Sequence, residues 1–454
     1  MDWCLRLSWS QSPFRRILIS SALSATSVVP AGAAWERERE DIMDVLHERA
    51  AGLDISKKDA KVCVRVPSKR AGYYANTITT YGAFTNDILR LRRDLEQAEV
   101  TVVVMEATGD YWKPFFFVLA ETLNVQLVNA KQAKNIPGRK TDVSDARWLA
   151  ELAAHGLLRS SFVPPEPIRQ LRDLTRTRTN LTREQTREYA RMEKNLEDAG
   201  IKLSLVASSL TTQSAHAILA AMVDGERDPH VLAGLAHVSM IKKAPELVEA
   251  LTGRFSDHHA FMVKLHLDRI NEIGASVQRL NDRIDSVMEP FLPAREALSM
   301  IPGLSKISSE NILAEIGIDM SVFPTSAHLA SWAGVCPGQN ESAGRIKSTK
   351  TRPGDKYLKG YLGAAALSIS RSDTTYLSVK FRRIQARAGK LKAVVAIEHT
   401  LLVIIWNMLS TGELYSELGV GYRQTRDPDK LRDRAIRKLQ ALGYEVEVTP
   451  TAAA

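Results

Sequence analysis

Two carboxylates stand three positions apart, at Asp142 and Asp145, in the segment 140–152. The segment follows a Pro-Gly pair and places Trp148 and Leu149 among apolar residues at helical spacing, which predicts a helix. Side chains at positions i and i+3 lie on one side of a helix, so both carboxylates should share its first turn. Acidic residues near a helix N-terminus also gain from the helix dipole, and taken alone the pair is explained more simply by that effect or by capping.

Two further acids lie at places where they could join this pair. Asp54 is inside a predicted strand at 50–56, and Glu106 follows the continuous β-branched run 100–105. Neighbouring strands lie about 4.8 Å apart, so the two side chains can meet if these strands pair. Four clustered carboxylates repel one another unless a cation is present, and Mg²⁺ is the divalent ion that oxygen ligands suit best. Two such ions about 3.5 to 4 Å apart can hold both oxygens of a phosphoryl displacement.

Alternating strand and helix patterns surround these acids. In chain order the patterns predict strands at 50–56, 61–66 and 76–81, a helix at 86–97, a strand at 100–105, a helix at 111–122, a strand at 125–128 and the acidic helix. Such an alternation is typical of an α/β sheet.

The chain changes character after this α/β region and becomes helical. Residues 168–196 form a strongly basic helical pattern, and residues 263–288 repeat apolar residues at steps of three and four, which is coiled-coil spacing. An interaction hairpin and a plain helical bundle fit these patterns about equally. The stretch 298–316 resembles a helix-hairpin-helix, in which a glycine turn offers backbone N–H groups to a phosphate, although a tight turn without a ligand explains it as well.

A second candidate site is a basic loop around Ser342. Pro337 and Gly338 precede it and interrupt any helix, and small residues flank the serine. Between 343 and 359 one acid, Asp355, stands against six bases: Arg345, Lys347, Lys350, Arg352, Lys356 and Lys359. From the residues alone this loop is a phosphate-binding surface in which the serine serves as a neutral spacer.

Composition limits the class of protein. The 454 residues carry a net charge of +9 with 44% apolar and 25% charged residues, which is typical of a globular protein with an anionic partner such as nucleic acid. Three scattered cysteines favour reduced thiols in the cytoplasm, and no apolar run approaches the length of a membrane span. Residues 1–42 imitate a signal peptide, but their serines and threonines favour a disordered extension. Phosphate-loop and zinc motifs are absent from the sequence.

The acids and the phrases around them resemble a known family. The segments 52–58, 105–109 and 140–146, with Asp54, Glu106 and the 142/145 pair, are similar to the RuvC/RNase H-like domain of DEDD transposases, the insertion-sequence recombinases of the IS110 family and its sister group. The resemblance covers roughly residues 45–410. It implies an α/β plus all-α fold with these parts: an extension 1–42, a RuvC-like domain 43–164, a helical coiled-coil arm 165–290, a C-terminal transposase domain 291–410 and a charged tail 411–454.

The resemblance also assigns a role to the serine loop. Segments 340–344 and 351–358 are similar to the C-terminal transposase domain of the same group, whose motif serine attacks a DNA phosphate. That serine falls on Ser342, with Ser348 as the alternative, and Ala343 stands where some members carry glycine. The implied partners are Mg²⁺, DNA, a structured guide RNA and further copies of the chain in dimers and tetramers. Nucleic-acid contacts are expected at Arg345, Lys347, Lys350, Arg352, Lys356, Arg176, Arg183 and Arg187.

The expected function is therefore a transposase that excises and inserts its own element by phosphoryl transfer. A metal-only, junction-resolving nuclease of the RuvC kind would need the acids but no serine. A nucleic-acid-binding scaffold with a degenerate catalytic fold would need neither.

Overall fold

The computed structural model describes residues 45–70, 72–107, 109–129, 144–338, 340–422 and 428–449. The chain divides into two compact units between Ser161 and Phe162. The expected extension at 1–42 and the predicted ligand Asp142 both lie outside the described residues.

The first unit is built on a five-stranded sheet with the order β3-β2-β1-β4-β5. Its strands are β1 (Ala50–Ile55), β2 (Asp59–Pro67), β3 (Tyr74–Gly82), β4 (Val102–Glu106) and β5 (Val125–Val128). The first three strands pair antiparallel, whereas β1, β4 and β5 are parallel neighbours. All five predicted strands are confirmed, and β4 is buried along its β-branched run until Glu106, as a central strand covered on both faces should be.

The described part of this unit also contains three helices. They are α1 (Thr85–Gln97), α2 (Trp112–Leu119) and α3 (Asp145–Ala154). The side chain of Ser144 accepts a hydrogen bond from the N–H of Arg147 and so caps α3. The apolar side of α3 packs with residues of β1, β4 and β5 in one cluster. The α/β class predicted for this region is confirmed.

The second unit begins with a long helical hairpin. Helices α4 (Glu166–Asp198) and α9 (Asp257–Met288) run antiparallel, since Arg178 bonds Asn281 whereas Glu188 bonds His266. Both predicted long helices are thus confirmed. The apolar seam predicted for residues 263–288 is interrupted, however. Three of its apolar residues, Ile273, Val277 and Leu280, are only half-buried, and polar side chains fill the middle of the hairpin.

A separate core lies at the distal end of this hairpin. Between its helices the chain forms α5 (Leu203–Val206), α6 (Gln213–Val223), α7 (Pro229–Gly234) and α8 (Ala244–Leu251). Their apolar residues pack with Met192 and Leu196 of α4, whereas Ile168 and Leu171 of the same helix belong to the core of the C-terminal region. Helix α4 therefore contributes to two cores.

The described residues of the C-terminal region are mostly helical and include a hairpin of two short strands. The region contains α10 (Leu292–Ser299), α11 (Lys306–Ile316), α12 (Ser326–Trp332), β6 (Asn340–Ser342), β7 (Arg345–Ser348), α13 (Lys356–Arg371), α14 (Tyr376–Ala388), α15 (Lys390–Thr411) and α16 (Pro428–Ala441). The all-α class is confirmed here. Helix α16 was not predicted because its sequence is strongly polar and charged, and none of its residues is buried in the structure.

The turn between α10 and α11 is the one that resembles a helix-hairpin-helix. Gly303 adopts a φ of +87° there, and a Cβ at this position would lie 2.6 Å from Ile369 and 2.8 Å from the carbonyl oxygen of Ala365. The glycine is thus required by close packing on α13. A tight turn without a ligand is sufficient to explain the motif.

Helix α15 is long and apolar enough to cross a membrane by length and composition, contrary to the sequence expectation that no such run exists. Its buried residues, which include Ile397, Leu401 and Ile405, belong to the C-terminal core. A core helix passes the same test of length and composition, so this observation carries no further conclusion.

Candidate active site

The close approach of α3 to β1 determines where the acids stand. A Cβ on Gly52 would lie 2.2 Å from the carbonyl oxygen of Ala146 and 2.4 Å from the backbone nitrogen of Ala150. Cys63, which is opposite Gly52 on β2, packs against the same two alanines. The first turns of α3 therefore rest on one face of β1 and β2.

Asp54 and Glu106 lie side by side on this face. Residues two apart on a strand share a face, so Asp54 faces the same way as Gly52. The parallel register places Gly52 opposite Val104 and Leu53 opposite Met105, which brings Glu106 beside Asp54 at the carboxyl ends of the two strands. Val104 packs in the cluster that contains α3, so Glu106 also faces this helix.

Asp145 completes the group of described acids. It is the first residue of α3 and precedes Ala146, whose carbonyl oxygen lies over Gly52. Asp54 is exposed, and Glu106 and Asp145 are half-buried. Three of the four predicted acids thus come from distant parts of the chain to one end of one sheet face.

The donor set fits a hard divalent ion, because it consists of carboxylate oxygens at the end of a sheet. Within the described ranges, however, no group of three or more metal-binding side chains lies close enough to hold an ion. Asp142, the fourth predicted acid, falls outside those ranges. The described residues therefore show that three acids share one face of the sheet, but they do not form a complete coordination sphere.

The predicted serine loop is a two-stranded hairpin. Ser342 pairs with Arg345, and the two residues between them have positive φ, +50° at Ala343 and +74° at Gly344. Positive φ at both central residues is the signature of a type I′ turn, whose twist matches that of the paired strands. This turn leaves Ser342 exposed at the tip.

Ser348, the alternative serine, has a different environment. It is half-buried, and its hydroxyl accepts a hydrogen bond of 3.1 Å from the backbone N–H of Lys350. Of the two hydroxyls, that of Ser342 is the more accessible to a large substrate.

Ala343 has a backbone conformation that favours glycine. An alanine in the left-handed region is strained by about 1 kcal/mol or more relative to glycine. Ala343→Gly should therefore stabilise the turn or leave it unchanged and keep activity, whereas the β-branched Ala343→Val should disrupt it. Circular dichroism with thermal melts and a DNA-cleavage assay check this expectation. A valine variant with full activity would show that the hairpin has another geometry.

The base of the hairpin is tightly held. The N–H of Gly338 donates to the carbonyl oxygen of Lys350 at 2.9 Å, and the ammonium of Lys359 donates to the carbonyl oxygen of Gly334 at 3.1 Å. A Cβ on Gly354 would lie 2.1 Å from the carbonyl oxygen of Ala333. The hairpin thus projects from a closely packed base with its tip exposed.

Two basic segments that were predicted separately meet at Tyr357. The guanidinium of Arg176 lies 4.6 Å from the ring centroid, that of Arg183 5.8 Å, and the ammonium of Lys356 5.2 Å. Arg187 is exposed one turn further along α4. The other predicted nucleic-acid contacts are exposed on or just after the hairpin: Arg345, Lys347, Lys350 and Arg352. Tyr357 thus brings basic side chains of α4 together with one at the start of α13, whereas the bases of the hairpin have in common only that they are exposed.

Arg176 also has a packing role that the sequence did not indicate. Its guanidinium donates two hydrogen bonds to the fully buried Glu315, at 2.8 and 2.7 Å, and one of 2.7 Å to Asp355. Asp355 in turn accepts from the N–H groups of Tyr357 and Leu358 and caps α13. Arg176 thus joins α4 to α11 and to the start of α13.

Glu398 on α15 is a buried acid that sequence analysis missed. It is 5% exposed, and its Oε2 has no hydrogen-bond partner in the described part of the chain. Burial raises the pKa of this carboxyl, although Lys359 opposes the effect. A raised pKa in the folded state means that the folded protein loses stability as pH rises above the ordinary carboxyl pKa.

Glu398→Gln should therefore stabilise the protein by about 1 kcal/mol at pH 8, because it removes a buried negative charge that lacks a partner. The difference should vanish near pH 4, where both side chains are neutral. Thermal melts at the two pH values measure it, with Glu413→Gln at an exposed position as the control. A variant that is less stable at pH 8 would contradict the expectation.

Comparison with known proteins gives two matches to family models. Residues 51–201 match the family model of DEDD transposases of IS110, and residues 295–379 match the model described as the transposase IS116/IS110/IS902 family. Both models describe transposases. The chain belongs to the IS110 family of transposases.

A curated relative gives the same result over a shorter length. The protein described as "Insertion element IS110 uncharacterized 43.6 kDa protein" from Streptomyces coelicolor is 26% identical over 137 residues. The match covers 30% of this chain and 33% of that protein, so the chain aligns with about a third of its relative's length.

Proposed function

We propose that this chain is a DNA transposase that excises and inserts its own element by Mg²⁺-assisted phosphoryl transfer, with Ser342 as the nucleophile. The observation that carries the proposal is the position of Asp54 beside Glu106, on the sheet face on which the first turn of α3 and Asp145 rest. In a chain of a transposase family, such a carboxylate face supports metal-dependent chemistry on DNA. The expected RuvC-like character of the domain and a cytoplasmic location belong to the same proposal.

The acids have one role in this scheme. Asp54, Glu106 and Asp145, with Asp142 as the fourth ligand, would hold Mg²⁺. When bound, the ion would polarise a phosphate and stabilise the charge on the leaving oxygen. Without a cation, the same carboxylates would repel the phosphates of a DNA backbone.

Ser342 has the other role. Its Oγ would form a bond to phosphorus while the bond from phosphorus to a deoxyribose oxygen breaks. The hydroxyl proton would pass to water, and the leaving oxygen would take up a proton. A DNA hydroxyl that attacks the phosphoserine would then restore the serine and join new strands. The exposed tip of the hairpin and the small residues beside it support access by a DNA strand.

The basic surface around Tyr357 supports the nucleic-acid part of the proposal. Arg183 and Lys356 lie over its ring, and Arg187 follows on the exposed side of α4. Such a surface can follow a phosphate backbone, of the DNA or of a structured guide RNA. Assembly into dimers and tetramers is proposed on the family resemblance alone.

The experiment uses the full chain with Mg²⁺, the DNA that flanks its own gene and the transcript of the adjoining non-coding stretch. The wild type should give a protein–DNA adduct that survives denaturation. Ser342→Ala and Asp54→Asn should each abolish it, and Ser348→Ala should retain it. Strand cutting that persists in Ser342→Ala would favour the metal-only nuclease. Binding without any Mg²⁺-dependent DNA chemistry would favour the degenerate scaffold.

A further inference from the structure

Lys61 stands directly beside the carboxylates, and sequence analysis did not assign it a role. The antiparallel register of β1 and β2 places Lys61 opposite Asp54. Directly opposite residues project from the same face, with Cβ atoms about 4.5 to 5.5 Å apart. The parallel register on the other side brings Glu106 next to Asp54. Lys61, Asp54 and Glu106 therefore form a row across three neighbouring strands.

Packing independently confirms the face to which Lys61 belongs. Cys63, two residues further along β2, packs against Ala146 and Ala150 of α3. Lys61 shares the face of Cys63 because strand residues alternate. The side chain of Lys61 is not covered by α3 and is exposed. Its ammonium has no hydrogen bond or ion pair with any described residue.

A role in stability alone is a poor explanation of this lysine. An exposed lysine–carboxylate pair contributes little to folding, about 0 to 1 kcal/mol. In a site that holds DNA over these acids, in contrast, an ammonium at the edge would add to the effect of the metal ion, because it attracts the phosphates that the acids repel. An ammonium with three rotatable donors suits a phosphate oxygen.

We propose that Lys61 binds a non-bridging oxygen of the DNA phosphate that lies over Asp54 and Glu106, and thus is a further substrate-contacting residue of the reaction. This inference rests on the proposed function and adds to it a named group that stabilises charge on the phosphate. The contact would strengthen as negative charge develops on the phosphate oxygens.

The test compares Lys61→Gln with Lys61→Arg and with Lys69→Gln. Lys69 is also exposed, lies just beyond the opposite end of β2, and gives the same change of charge. Lys61→Gln should lower the rate of adduct formation on the order of a hundredfold, whereas Lys61→Arg should restore most of it and Lys69→Gln should match the wild type. The loss in Lys61→Gln should disappear when the reacting phosphate is an uncharged methylphosphonate, a result that a structural role would not produce.

The outcomes separate this inference from the proposed function. If the wild type reacts, Asp54→Asn does not and Lys61→Gln equals Lys69→Gln, then the role of Lys61 is wrong and the transposase proposal stands. If Lys61→Gln loses the same factor on charged and uncharged phosphates, the lysine does not contact that phosphate. If the wild type shows no Mg²⁺-dependent chemistry on DNA, the proposed function fails first.

Discussion

Gly52→Ala should destabilise the first unit by about 3 kcal/mol or more, the upper range for overpacking a dense interior. The added methyl group would lie 2.2 Å and 2.4 Å from backbone atoms of α3, and backbone atoms cannot rotate away as a side chain can. The helix would have to shift off the sheet. Urea denaturation of the full chain, followed by tryptophan fluorescence, measures the change because Trp148 is on α3.

The same substitution should also remove activity while leaving every acid in the sequence. A shift of α3 moves Asp145 relative to Asp54 and Glu106, and catalytic geometry tolerates displacements of well under 1 Å. Gly82→Ala is the control within the same sheet, because its added methyl group would meet only the side chain of Asp87, which can change rotamer where a backbone atom cannot. Equal stability of the Gly52 and Gly82 variants would show that α3 does not lie on β1.

Arg176→Met should cost about 3 to 5 kcal/mol, the usual penalty for removing one partner of a buried ion pair. Glu315 is fully buried, and Arg172 would remain near it at 3.2 Å, so the lower end of this range is expected. Burial raises the pKa of Glu315 even with both arginines present. The folded state thus holds the proton more tightly than the unfolded state, and the loss in the variant should grow as pH rises from 5 to 8.

A double substitution tests the cause of this loss. Arg176→Met combined with Glu315→Met should recover much of the stability, because an apolar pair can replace a buried ion pair. Arg187→Met on the exposed side of the same helix should change the free energy of unfolding by less than about 0.5 kcal/mol. If Arg176→Met behaves like Arg187→Met, the ion pair does not hold α4 to α11.

Sequence patterns predicted the sheet well because local periodicity determines strands and helices. The run of valines in β4 and the alternation in β2 appear in the structure at nearly the predicted bounds. The pairing of β1 with β4 was not predicted outright. The sequence analysis stated only that Asp54 and Glu106 could meet if their two strands paired. That condition is met by the register of β1 and β4.

Other features depended on contacts that no local pattern encodes. The role of Gly52 follows from a helix almost a hundred residues later in the chain. Arg176 was predicted only as a nucleic-acid contact on a basic helix. Its ion pairs with Glu315 and Asp355 form only in the folded chain. The I′ turn at Ala343 was missed because alanine is an unusual residue at positive φ. A serine between small residues was the available signal, and it was interpreted as part of a basic, phosphate-binding loop.

Because helix α4 contributes to two cores, the second unit should not unfold as a single block. The 33 residues of α4 span about 50 Å, and between Leu171 and Met192 it is held by polar contacts such as those of Arg178 and Glu188. Amide hydrogen exchange should therefore show two cooperative blocks along one continuous helix, with a boundary in this polar stretch. We expect the distal block to open while the block that carries the serine hairpin stays folded.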